Sequence, residues 1–61
     1  MKIVAKIKNA IIGVTQLDEK NYYNVLLHDG NKYIPVAELI ETFERAVVYA
    51  LEKQNMIDYI K

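Results

Sequence analysis

The chain has no cysteine, no serine and no tryptophan, and only one histidine among its 61 residues. Without cysteine it has no disulfide and no thiolate metal site. A single histidine is too few for a histidine-rich metal centre. With serine and cysteine both missing, the commonest covalent nucleophiles are missing too, and Thr15 and Thr42 have no base nearby in the sequence. Charge of one sign is not in excess, because eight Lys and Arg balance eight Asp and Glu. A general nucleic-acid or anionic-membrane binder carries a basic excess. No apolar run approaches the ~20 residues of a membrane span. The opening "MKIVAKIK" places lysines inside its apolar stretch, unlike a secretory signal. The expectation is a cytoplasmic, non-enzymatic protein with no cofactor, no metal site and no membrane contact.

What is present is apolar residue, 52% of the chain. A domain of this size buries only about 60% of the surface its unfolded chain exposes. Small domains therefore use a disulfide, a metal or a second subunit as a staple. With the first two excluded, self-association into a homodimer or higher oligomer is the expected one.

One domain is expected over residues 1–61, ordered β-β-β-α. Residues 2–17, "KIVAKIKNAIIGVTQL", are rich in β-branched residues and alternate at first. Ile3, Ala5 and Ile7 point one way and Lys2, Lys6 and Lys8 the other. The alternation slips at Asn9-Ala10. A β-bulge near Asn9 bending one long strand explains the slip. A tight turn at Asn9-Ala10 between two short strands is the alternative, and the bent strand is preferred because Ala resists the positive φ of such a turn. Gly13 offers a second kink. After a polar turn, "DEKN", the run "YYNVLLHD" alternates again, with Tyr23, Val25 and Leu27 on one face and Tyr22, Asn24, Leu26 and His28 on the other. Asp29-Gly30 is a strong hairpin signal. "NKYIP" is then a short return strand that Pro35 ends.

Pro35 suits the first turn of a helix. At 100° per residue, Val36, Leu39, Ile40, Phe43, Ala46, Val47, Ala50 and Leu51 fall in one apolar arc about 140° wide. Glu38 and Glu41 favour the helix dipole, and Glu41 and Arg45 form an i,i+4 pair. Gln54 and Asp58 would both land on the apolar arc, so the helix is expected to stop or bend near Asn55, with a short last turn after it. The fold class is α+β: a small antiparallel meander of about three strands, the first long and bent, with one long C-terminal helix on one sheet face.

Residues with chemistry mostly read as structural. His28 and Asp29 are adjacent, but neighbouring strand side chains point to opposite faces, and Asp29 is a natural turn residue. No catalytic residue is assigned. Asp18 and Glu19 lie in a turn without a calcium-loop pattern. Gly13 and Gly30 form no phosphate loop. Val48 and Tyr49 fall outside the apolar arc, and with Met56, Tyr59 and Ile60 they suggest a protein contact. Tyr22, Leu26 and His28 form a second candidate contact on the far sheet face. The expected function is that of a small oligomeric regulator, inhibitor or accessory protein, of the kind mobile elements carry, that binds itself and in some settings another protein. One alternative is single-stranded nucleic-acid binding on a face built from Lys2, Lys6, Lys8, Lys32 and Tyr22, since lysines and strand tyrosines can stack bases. Another is imitation of nucleic-acid charge by Glu38, Glu41, Glu44 and Glu52 on the helix.

Overall fold

The computed structural model describes the backbone of residues 1–60 and the side chains of residues 1–54. Strands β1 (Lys2–Ile7), β2 (Ala10–Leu17), β3 (Lys20–His28) and β4 (Tyr33–Ile40) precede one helix, α1 (Phe43–Ile60). They form one antiparallel sheet in the order β1-β2-β3-β4, with α1 packed on one face. The class is the α+β expected, with four strands where about three were read.

The fourth strand comes from dividing residues 2–17. A two-residue turn at Lys8-Asn9 joins Ile7 to its partner Ala10. Lys8 takes a φ of 54°, a conformation usually left to Gly or Asn, so residue type gave little warning of the turn. A bulge does occur in β1, but at Val4: Ile3 pairs with Gly13 and Ala5 with Ile12. The turn between β2 and β3 is also tight. Asp18 and Glu19 have φ of 51° and 67°, as a type I′ turn requires, and Lys20 and Asn21 already belong to β3.

Asp29-Gly30 starts a wider connection of four residues. The Asp29 carboxylate accepts from the N–H groups of Asn31 and Lys32, both at 2.8 Å. These bonds, Lys32 first, hold its pKa below the ordinary carboxylate range.

Pro35 opens no helix. It lies inside β4, opposite Leu26, on an edge strand where its missing N–H leaves no gap in the sheet. Two bulges follow, at Val36 and in the pair Glu38-Leu39, where Leu39 has a φ of 55°. The helix begins at Phe43. Its cap is Thr42, whose carbonyl accepts from Ala46 N–H at 3.2 Å and whose hydroxyl accepts from Arg45 N–H at 3.3 Å. Glu44 supplies the acidic residue of the first turn. Glu41 lies before the cap, so Glu41 and Arg45 are not an i,i+4 pair on a helix.

The core is thin. Among the described residues the buried apolar set is Ala10, Ile12, Val25, Leu27, Ile40, Ala46 and Ala50, and of the large side chains in it only Ile12 and Val25 are fully enclosed. The helix alanines let α1 lie close to β2 and β3, at the expense of apolar volume. Phe43 and Leu51, placed on the buried arc by periodicity, are 38% and 44% exposed. Phe43 packs edge-on against Tyr23, ring centres 5.7 Å apart.

Gln54 corrects the reading of the helix end. The helix runs on through Asn55 to Ile60, and Gln54 faces the core because it has partners there. Its Oε1 accepts from Asn9 N–H at 3.0 Å, and its Nε2 donates to Ile7 O at 2.9 Å and to Ala50 O at 3.2 Å. One buried amide thus ties α1 to the β1–β2 turn.

Candidate functional site

The helix covers the sheet face that carries Ile7, Ala10, Ile12, Tyr23, Val25 and Leu27. Among the described residues no element covers the opposite face. The strand register gives it a row across all four strands, Lys6–Ile11–Leu26–Pro35. Beside this row lie Ile3, Gly13 and Asn24, then Thr15 and Tyr22, with His28 and Tyr33 at the other end. Ile3 is 49% exposed and Met1 64%. Met1 folds over Gly13, where an added Cβ would strike its side chain. Gly13 is therefore a seat for Met1, and no kink is needed to explain it.

The polar groups in the middle of this face are satisfied from within. Asn24 Nδ2 donates to Thr15 Oγ1 at 2.9 Å and to the Met1 sulfur at 3.7 Å. Its Oδ1 accepts from Leu39 N–H at 3.1 Å, which also locks the β4 bulge. At the far end His28 Nδ1 accepts from Gly30 N–H at 3.1 Å, and its ring meets Tyr33 edge-on with centres 4.8 Å apart. Since His28 and Asp29 both bond the backbone of their own turn, they do not form an acid–base pair.

Tyr22, Leu26 and His28 lie together on this open face, as the alternation of β3 predicts. The lysines do not stay together. The Val4 bulge sets Lys2 opposite Val14 on the helix side of the sheet, Lys32 lies in the β3–β4 connection, and Lys6 and Lys8 remain near His28 and Tyr33 around a shallow hollow of about 240 Å³. The four glutamates are split as well: Glu38 is in β4, Glu41 in the connection, and Glu44 and Glu52 on α1.

On the helix, Val48 is 51% exposed, as expected of an outward position. Tyr49 is not. It is half-buried and packs against its own core, so the arc of contact is rotated toward it relative to the periodicity. Two open grooves flank it. One, of about 540 Å³, runs between β4 and α1 past Leu39, Arg45 and Lys53; the other, of about 440 Å³, lies among Glu44, Val48 and Glu52. Met56 and Tyr59 lie outside the described side chains. Among the described residues no three His, Cys, Asp or Glu come together as a metal site, and no described helix is long and apolar enough to cross a membrane.

Comparison with protein-family models, with curated proteins and with solved structures finds no match for the chain.

Proposed function

We propose that the protein is a non-enzymatic interaction protein that works as an oligomer, of the regulator, inhibitor or accessory kind. The observation that carries this reading is the thin single-layer core beneath a sheet whose second face, mixed apolar and polar, is uncovered among the described residues. On that face Met1, Ile3 and Tyr33 are exposed and Ile11, Tyr22 and Leu26 half-buried. Grouped apolar residues of this kind support a contact surface, and a chain with so little interior gains stability by burying more of it. The involvement of His28 and Asp29 in their own turn supports a binding role over catalysis. Light scattering at micromolar concentration tests the reading. The expected mass is at least twice 7.1 kDa; a uniform 7.1 kDa species would contradict it.

A nucleic-acid reading has one observation in its favour, the gathering of Lys6, Lys8, His28 and Tyr33 around one hollow. It predicts binding of labelled single strands that weakens steeply with salt. Fluorescence anisotropy at low salt separates the two readings, since an interaction protein without this activity shows no binding at tens of micromolar strand.

A further inference from the structure

We infer that the open sheet face is covered by a second copy of the chain, packed sheet on sheet about a two-fold axis that runs along the strands between β2 and β3. The inference rests on the oligomer reading above and adds the surface, the occupant and the symmetry.

The amount of surface points to a partner of matching size. A compact monomer of this mass has about 4,100 Å² of accessible surface, whereas this chain has 4642 Å². The excess, about 540 Å², belongs to an elongated body as a whole. The sheet face itself, four strands at ~4.8 Å spacing and some seven residues at ~3.4 Å, is roughly 19 by 24 Å. A standard interface removes about 800 Å² from each partner and weak ones about 600 Å² or less. The whole face is therefore needed. A helix is about 10 Å across and would cover half of it, as would an added pair of strands. A second twisted sheet covers all of it. The molecule is also a slab, 39 × 21 × 14 Å, and stacking two slabs face to face makes the more compact body.

The other surfaces of the chain are poorer routes to self-association. Both sheet edges are guarded. β1 carries the Val4 bulge between Lys2 and Lys6, and β4 carries Pro35 and two bulges, all features that block strand pairing. The helix also exposes Phe43, Val48 and Leu51, but Phe43 packs on Tyr23, Val48 is set among Glu44, Arg45 and Glu52, and Tyr49 already serves its own core.

The open face is also ready to lose its water. Asn24 and Thr15 bond each other, and Asn24 bonds the chain at Leu39 and Met1, so covering them strands few polar groups. The proposed axis sets Ile11 of one copy over Leu26 of the other. It sends the two Lys6 side chains to opposite rims, where each ammonium reaches solvent over its own apolar stem. An axis across the strands would bring both to the same rim.

Sedimentation velocity on the wild type, Leu26→Lys and Val48→Lys tests this, together with methyl NMR of the wild type in the presence of a soluble paramagnetic agent. Leu26→Lys is expected to raise the dimer dissociation constant about 100-fold or more, as loss of a central anchor does, and Val48→Lys to leave it unchanged. In the wild-type dimer the Ile11 and Leu26 methyls are expected to be shielded from the agent and the Val48 methyls relaxed by it. The methyl result needs no variant, so it decides the matter even if Leu26→Lys fails to fold. A dimer with exposed Ile11 and Leu26 methyls, or one broken by Val48→Lys alone, would overturn the inference and leave the oligomer reading standing. A monomeric wild type would overturn both.

Discussion

Gln54→Leu is expected to destabilise the protein by about 2–3 kcal/mol, although it replaces a polar residue by an apolar one on a buried helix face. The reason lies in what it leaves behind. Gln54 accepts from Asn9 N–H and donates to Ile7 O, and a backbone group stranded without its partner costs about 1–3 kcal/mol. Asn9 is exposed enough for water to recover part of this, so the expected cost stays near the low end for two such groups. Gln54→Glu separates the two bonds. At neutral pH a carboxylate can still accept from Asn9 but cannot donate to Ile7, and it sits beside the carbonyl oxygens of Ile7 and Ala50. Burial and those oxygens raise its folded pKa above the unfolded value of about 4.3. Its penalty is therefore full above the folded pKa and disappears as pH falls toward the unfolded one. Urea melts at pH 7 and pH 4.5 measure this. Gln54→Glu should recover stability relative to Gln54→Leu at the lower pH; equal losses at both would mean that the donated bond to Ile7 contributes nothing.

Ile12→Ala is expected to remove a large part of the chain's stability. Ile12 is fully buried on the central strand β2, and Ile-to-Ala changes in cores cost about 2–5 kcal/mol. A 61-residue domain has about 3–9 kcal/mol in all. Phe43→Ala is expected to cost less, about 1–2 kcal/mol, despite removing more atoms, because Phe43 is 38% exposed and makes one edge contact with Tyr23. Circular dichroism melts of the two variants rank them. If Phe43→Ala proved the more damaging, the core would centre on the start of the helix and not on β2 and β3.

Much of the fold was legible. The alternation in β3 places Tyr22, Leu26 and His28 on one face and Val25 and Leu27 on the other, and the structure keeps both sets together. The errors have separate physical causes. In β4, two bulges break the period of two, so Val36, Leu39 and Ile40 acquire the three-and-four spacing of a helix. With Pro35 ahead of them, the helix is then read several residues too early, past its true cap at Thr42. The turn at Lys8-Asn9 was hidden because Lys8 is a poor residue for its φ. Gln54 looked like a helix breaker because its partners, Asn9 and Ile7, lie some 45 residues away in the chain; periodicity sees polarity and cannot see a distant bond. The candidate surface was half legible for the same reasons. The β3 residues were found, whereas Ile11 and Pro35, which complete the row, depended on turns and bulges that only the register reveals.

The central claim is that this thin fold is completed by a second copy, so that assembly adds to the stability of the folded chain. The most direct measurement is the thermal midpoint as a function of protein concentration. For coupled assembly, a 100-fold rise in concentration adds about 2.7 kcal/mol, which for a dimer of this size raises the midpoint by about 10 °C. A midpoint rising by that amount between 1 and 100 micromolar is the predicted result; one independent of concentration would contradict the account.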